Sequence, residues 1–585
     1  MSEHNTGKGG VIQGPVTVAI RNLEGALLRL RQGEITNDEL RPSRTIMGVY
    51  GQRQPEQYMA RVRIPYGGLT SEQLRCLARA AREHGNGVGH VTTRQNMQLP
   101  WLKLDESPDV LWELADVGLT TLQSGGNSVR TVGACPMAGV CPREAFDVTP
   151  YASALDGHYL GNDRVMRLPR KFKASFSGCP LDCNNSRIQD FGVIAQVRQE
   201  NGALRRGFQV FVGGGLGVFP RLAQPLEEFV PAEELLSTCE AVIRVFERLG
   251  DRKDKQKARL KFVLQRLGIE EVRRLVREER QALRVGQEEF PNLVPAEGFT
   301  PPPAVHPGGS ARGPAEPDYR RWHRWNTQTQ RQEGYTTVFI PLKLGDITSS
   351  QMEAVAGLAE RYTGGTLRTS QQQDLVLRNV HETYLPAAYD ALRSADLTGI
   401  RASGIADVTS CPGTTACSLA ITTSKGLANQ LVQMLEDTSY QDDEALGNLR
   451  IKVSGCPDAC GQHYLADIGL YGCAVHVSGR LYPAYQLLLG GEVGEKGTRL
   501  ASPVVKLPAR RVPQAVARLL EHFRSRREPG ERFSAFVDRM GLESFRDLIA
   551  ELAHVPPPRE DVWNFMDWDS TRMYILERGE GECAV

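Results

Sequence analysis

Ser454-Gly455-Cys456-Pro457-Asp458-Ala459-Cys460 sets two cysteines four positions apart, between a strand-like run and a glycine. Cysteines in that setting read as ligands rather than core. Upstream, Ser410-Cys411-Pro412-Gly413-Thr414-Thr415-Ala416-Cys417 supplies two more, giving C-x5-C, then 38 residues, then C-x3-C. Prolines and glycines keep the surrounding backbone non-helical. Four converging thiolates suit an iron-sulfur cluster or a zinc ion.

The same set occurs earlier, as Cys135 and Cys141 followed by Ser177-Gly178-Cys179-Pro180-Leu181-Asp182-Cys183. The offset is 276 from Cys135 to Cys411 and 277 from Cys179 to Cys456. It also links Ile64-Pro65 to Ile340-Pro341, Gln95 to Gln371, Leu99 to Leu375 and Gly213-Gly214 to Gly490-Gly491. A register held that long makes the chain a duplication. Residues 291–318, with Pro301-Pro302-Pro303 and Pro307-Gly308-Gly309, read as the linker between the halves.

Each half shows the same order of elements. Strands over 58–65 and 336–342 precede helices over 71–84 and 349–362, then strands over 90–99 and 366–377. Ala60, Val62 and Ile64 alternate with Arg61 and Arg63, as a half-buried strand requires. Further strands over 191–197 and 208–212 and helices over 232–249 and 269–283 complete an α+β plan built twice.

The halves differ in charge. Arg61, Arg94, Arg130, Lys171 and Lys173 align at the repeat offset with Thr337, Ser370, Ala406, Asn448 and Arg450. A shared scaffold with an unshared cation cluster implies that the cluster serves a site. Lys171 and Lys173 face the same way on an extended segment, and can converge with the arginines on a small anion. Phe211-Val212-Gly213-Gly214-Gly215-Leu216-Gly217 is a glycine-rich turn whose backbone could approach a cofactor and offer N–H groups to a carboxylate.

At 585 residues the chain needs several domains. With 70 Lys plus Arg against 69 Asp plus Glu, nothing suggests nucleic acid or an anionic membrane as partner. Twelve cysteines without an apolar leader or an apolar run of membrane-spanning length suggest a soluble cytoplasmic protein whose reduced thiols bind metal. Cys76, Cys239, Cys473 and Cys583 stand outside the pairs and read as ordinary buried or terminal residues.

Thr92-Thr93-Arg94-Gln95-Asn96, Leu168-Pro169-Arg170-Lys171-Phe172-Lys173, the turn over 213–217 and the cysteine spacing together resemble the nitrite and sulfite reductase family, closest to the assimilatory sulfite reductase haemoprotein. The resemblance implies an α+β, internally duplicated, pseudo-two-fold fold with two ferredoxin-like half-domains and two sirohaem/iron-sulfur domains. The expected boundaries are 1–125, 126–290, the linker 291–318, 319–400 and 401–585. It implies a 4Fe-4S cluster on Cys411, Cys417, Cys456 and Cys460, with Cys460 shared with the iron of sirohaem. It places Arg61, Arg130, Lys171 and Lys173 around a bound oxyanion, and Arg94, Gln95, Asn127, Gly213, Gly214 and Gly215 against the macrocycle. Family nitrite reductases show Asn where this chain has Lys173, so both lysines favour sulfite over nitrite. With no flavin or nicotinamide domain evident, a ferredoxin or a flavoprotein is the expected electron donor. A two-cluster electron carrier without turnover is the alternative, but a carrier needs no anion pocket.

One departure stands out. Assimilatory members usually lack the first quartet, whereas Cys135, Cys141, Cys179 and Cys183 are all present here. Dissimilatory sulfite reductases, whose two related subunits each bring a cluster, offer a precedent for a second 4Fe-4S cluster; a relic of duplication is the other reading.

Overall fold

The computed structural model describes residues 13–291, 316–579 and 582. The expected linker therefore falls almost entirely outside the described residues, as does Cys583.

Helices Ser71–His84 and Ser349–Tyr362 occupy the expected spans. Each starts with a reciprocal capping box, Thr70 with Gln73 and Thr348 with Gln351, which satisfies two otherwise orphaned N–H donors. Leu74 and Leu77 on the first and Met352 and Val355 on the second are buried in one core drawn from both halves. Each such side chain contributes about 1.5–3 kcal/mol. The two helices pack on each other, so the repeat meets itself across a pseudo-two-fold.

The strands expected over 90–99 and 366–377 are each two strands, Val88–Val91 with Met97–Leu102 and Thr366–Thr369 with Leu375–His381. Side-chain oxygens break them. Thr92 Oγ1 accepts from Arg94 N and Asn96 N, and Ser370 Oγ accepts from Gln372 N and Asp374 N. Gln95 and Gln373 take positive φ, 60° and 75°, at the turns. Two loops, 92–96 and 370–374, result.

These bonds correct the repeat register. Arg61 pairs with Gln98 and Val62 with Met97, while Phe339 pairs with Val376 and Ile340 with Leu375. Arg61 therefore corresponds to Phe339 rather than Thr337, and Arg94 to Gln372 rather than Ser370, an offset of 278. The earlier alignments of Gln95 with Gln371 and of Ile64-Pro65 with Ile340-Pro341 are displaced in the same way. The first half carries two more residues between its ferredoxin-like sheet and its cysteine region, and the Ile-Pro coincidence hid them. Beyond that point the expected offsets hold. Lys173 N and Arg450 N donate to Asp190 and Asp467, both at 2.9 Å, and Gly213 N and Gly490 N to the carbonyls of the same two aspartates at 3.0 Å.

The ferredoxin-like sheets exchange a strand. One runs Val49–Gly51, Tyr58–Val62, Met97–Leu102, Val88–Val91 and then Asp346–Thr348 from the second half. The other runs Thr327–Thr329, Tyr335–Ile340, Leu375–His381, Thr366–Thr369 and then Gly68–Thr70 from the first. The other two five-stranded sheets match each other, Gly133–Ala134, Ala174–Ser177, Phe191–Glu200, Ala203–Val212 and Gln224–Pro231 against Thr409–Ser410, Ile451–Ser454, Ile468–Val477, Arg480–Leu489 and Ser502–Pro508. In each the first three strands are parallel, and the cysteine motifs follow strand ends.

The C-terminal segment returns to the first half. Glu582 pairs with the buried Arg44 and accepts from Gly51 N at 2.6 Å, and Arg53 Nη2 donates to Glu577 O at 2.7 Å. No helix among the described residues is long and apolar enough to cross a membrane.

Candidate functional site

Cys411 follows strand Thr409–Ser410, and Cys456 follows strand Ile451–Ser454. Cys411 N donates to Val453 O at 3.3 Å and Gly455 N donates to Cys411 Sγ at 3.2 Å, which ties the two motifs together. Left-handed backbone at Ala459 (φ 58°) and Gln462 (φ 59°) turns the second loop so that its thiols face the first. Cys460 is exposed at the mouth of the site, yet desolvation by the groups packed around its thiol pushes it up to about 12, reinforced by Cys411, Asp458 and Cys417, while Lys171 pulls the other way. Burial and then Asp458, Cys460 and Cys411 raise Cys456 as well. Thiols that hinder one another's ionisation ionise together only around a metal. The donor set fits a 4Fe-4S cluster.

Cys460 lies against the first half. Thr93 Oγ1 donates to Cys460 O at 2.8 Å and Gln462 Nε2 donates to Thr93 O at 3.2 Å. Loop 92–96 thus carries Arg94 to the edge of the second-half cysteines. Arg94 donates to Thr131 O at 2.5 Å; burial, then Arg130, Arg259 and Arg61, lower its guanidinium to about 9, against the pull of Asp190.

Lys171 and Lys173 flank the fully buried Phe172, which turns both amines away from the core. Burial, then Arg259, Arg94 and Lys171, hold Lys173 well below its ordinary value. Arg130 is buried, its guanidinium bonded to the carbonyls of Ser124 and Gly126. Arg61 lies 5.0 Å over the Tyr50 ring. Arg63, on the same strand, is consumed by a buried pair with Asp156 at 2.6 Å. Asn127 Oδ1 accepts from Arg170 at 3.4 Å.

Two expected contacts take a different form. The amide of Gln95 is spent on backbone, its oxygen accepting from Ala134 N at 3.1 Å and its nitrogen donating to Thr369 O at 2.9 Å, so it positions rather than binds. The N–H groups of Gly213, Gly214 and Gly215 donate to Asp190 O, Gln189 O and Arg221 O, leaving none of the three for an external carboxylate. Glycine is needed at 214 because a Cβ would stand 2.7 Å from Gln189 O.

The cations that do border this turn escaped the sequence reading. Arg259 pairs with Asp190 at 2.7 Å, and Lys261 Nζ donates to the carbonyls of Leu216 at 3.0 Å and Phe219 at 2.6 Å. Burial and Arg259 lower Lys261 to about 8. Both residues lie more than 40 positions past the turn, and the usable signal was Arg259 recurring as Arg532. Cations packed this closely are relieved by a polyanion, so the residues present fit a macrocycle rich in carboxylates.

Reciprocal clamps were also missed. Arg53 N donates to Ala416 O at 2.8 Å and Gln54 Nε2 to Thr415 O at 2.9 Å, holding the second-half C-x5-C loop. Arg331 N donates to Val140 O at 2.9 Å and Gln332 Nε2 to Gly139 O at 3.0 Å, holding the first-half loop. The Arg-Gln pair repeats at the offset of 278, which is the signal that could have found it.

Comparison with known proteins agrees with this arrangement. The family model for the nitrite and sulphite reductase 4Fe-4S domain matches residues 125–283 and 401–556, and that for the nitrite/sulfite reductase ferredoxin-like half domain matches 50–117 and 328–395. An assimilatory ferredoxin-dependent nitrite reductase of Haloferax mediterranei is 29% identical, over 86% of this chain and 85% of its own length. A sulfite reductase [ferredoxin] of Mycobacterium tuberculosis is 27% identical, over 84% of this chain and 83% of its own. The solved structure of Mycobacterium tuberculosis NirA protein superposes with a TM-score of 0.76 at 26% identity, covering 91% of this chain and 95% of that one.

Proposed function

The chain belongs to the nitrite and sulphite reductase family, and from that membership we propose that it reduces sulfite to sulfide, taking electrons from a ferredoxin. Cys411, Cys417, Cys456 and Cys460 would hold a 4Fe-4S cluster, with the Cys460 thiol on the side that faces the sirohaem site. Arg94 and Asn127, joined by Arg259 and Lys261, would hold the macrocycle carboxylates. When bound, the coupled cofactors carry the six electrons, which no side chain can store.

The protein's own part is charge and protons. Arg61 and Arg130 keep their charge and polarise the oxyanion. Lys173, half-buried and desolvated beside Arg259, Arg94 and Lys171, hands a proton to a departing oxygen more readily than an isolated lysine does, and Lys171 adds a second amine to the same cluster. The water-forming steps need such donors. Loop 92–96 and the Phe172 anchor keep both amines and the Cys460 side of the site in one place.

The observation that carries sulfite is the pair Lys171 and Lys173 bordering one cationic cluster beside Cys460. Lys173→Asn is expected to lower sulfite turnover by about a hundredfold, the size of one proton donor's contribution, while sparing nitrite. Steady-state rates with each anion decide it, and unchanged sulfite turnover would overturn the assignment. Reduction of nitrite to ammonia at the same residues is the second reading, favoured by relatives such as that of Synechococcus elongatus, named ferredoxin–nitrite reductase and 30% identical over 449 residues. Several relatives are named for ferredoxin, which supports that donor over a flavoprotein.

A further inference from the structure

Cys135, Cys141, Cys179 and Cys183 take no part in the reaction proposed above. Their backbone nevertheless repeats the main turns and strand-end bonds of the other quartet. Cys135 N donates to Phe176 O at 3.0 Å as Cys411 N does to Val453 O, and Asn185 N donates to Asp182 O at 2.8 Å as Gln462 N does to Ala459 O at 3.0 Å. Asp182 and Asn185 take the same left-handed turns, φ 52° and 53°. Cys135, Cys141 and Cys179 are buried and Cys183, like Cys460, is exposed.

The loop is also clamped as its twin is. Beyond the bonds from Arg331 N and Gln332, Arg331 Nη2 donates to Cys141 O at 3.2 Å and Glu144 O at 3.1 Å, and Arg378 donates to Ala138 O. Backbone held by guanidinium groups beside four thiols is a setting for an anionic tetrathiolate centre.

The cleft that the repeat would place beside this quartet has changed. Phe339, Gln372, Ala406 and Asn448 stand where the first half has Arg61, Arg94, Arg130 and Lys171. At the position of Gly215 stands Glu492, whose carboxylate accepts from Arg532 at 2.6 Å and from Ser534 Oγ at 2.6 Å, the counterparts of Arg259 and Lys261. Lys452, at the position of Ser175, is buried and spends its amine on Gln372 Oε1 at 2.8 Å and Thr409 Oγ1 at 2.9 Å. An internal carboxylate thus takes the arginine that would meet an external one, and the lysine amine is spent on neutral groups. Macrocycle positions have drifted while the four cysteines, Ser177, Gly178 and the clamp have not.

We propose that Cys135, Cys141, Cys179 and Cys183 hold a second 4Fe-4S cluster with no macrocycle beside it. The proposal deepens the functional reading and rests on it for the identity of the metal centre. The test is iron, zinc, acid-labile sulfide and extractable sirohaem per chain of the full-length, anaerobically purified protein, with electron paramagnetic resonance of the dithionite-reduced sample. The expected result is about nine irons, about eight sulfides and one sirohaem. About five irons and four sulfides with one sirohaem would overturn the second cluster and leave the reductase reading standing. One zinc lost on Cys179→Ser would overturn it in favour of a structural zinc site, and two sirohaems would overturn the absence of a macrocycle. No sirohaem with about eight sulfides would sink the reductase reading while keeping the cluster. Cys179→Ser combined with Cys183→Ser is expected to remove about four irons, four sulfides and one reduced-cluster signal, with the sirohaem absorption unchanged. Should that variant not fold, the wild-type stoichiometry still decides.

Discussion

Gly214 and Gly25 show how differently one residue type is used. A Cβ at 214 would press on the backbone of residues 188 and 189, whereas one at 25, on the exposed face of helix Gln13–Arg31, meets nothing within 4 Å. Gly214→Ala is expected to destabilise by about 1–3 kcal/mol, and Gly25→Ala to stabilise by about 0.5–1 kcal/mol. Opposite shifts of the thermal midpoint check both. At this scale the cysteines were the most legible part of the chain, because thiolate ligands must come in short, spaced pairs. The lysines beside Phe172 were legible from strand alternation. Arg259 and Lys261 were not, since only packing of a distant helix brings them to the glycine turn. The turn itself was found but its purpose misjudged, because whether an N–H is spent depends on partners 25 residues upstream, such as Gln189.

Helix Ser71–His84 and helix Ser349–Tyr362 were readable to the residue because cap, apolar stripe and stop agree. The strands were harder: loops 92–96 and 370–374 interrupt apolar alternation without a glycine or proline to mark them. The exchanged strands, Gly68–Thr70 and Asp346–Thr348, are three residues each and carry no sign of which sheet they join. The second of them is pinned by charge. Asp346 bonds His90 Nδ1 at 2.8 Å and Lys425 Nζ at 2.6 Å, uniting the first half, the exchanged strand and the second half. Burial would raise the Asp346 carboxyl, but Lys425 and then His90 hold it below its ordinary value. A depressed carboxyl stabilises above its unfolded pKa and stops doing so as pH falls through the folded one. Asp346→Asn is therefore expected to cost about 2 kcal/mol at neutral pH, with the gap to wild type closing below about pH 4. Denaturant midpoints of both proteins at pH 7 and under acid conditions measure it.

As a whole the molecule is one interlocked body at its centre, a closer union than the expected pseudo-two-fold duplication specifies. The shared core contains Val62 and Leu74 from one half and Val338 and Met352 from the other, and each half clamps the other's cysteine loop. The duplication was legible because motifs repeat. The interlock was not, because two covalently joined copies can lie side by side or thread through each other with the same repeat offset. Residues 1–291 expressed alone are expected to be insoluble or protease-sensitive, and co-expression with residues 316–585 is expected to restore a stable pair that co-purifies. Limited proteolysis of the two preparations makes the comparison.

The strand exchange also sets a clock. The first ferredoxin-like sheet is complete in sequence at Leu102 except for Asp346–Thr348, whose first residue lies 244 positions later. At roughly 5–20 residues per second of synthesis, that edge stays open for about 12–50 s. During that interval Arg331 and Gln332 have yet to emerge for most of the wait, so the first cysteine loop is also unclamped. The first sheet and the first cysteine loop therefore reach their final form only after Arg331, Gln332 and Asp346–Thr348 have been synthesised.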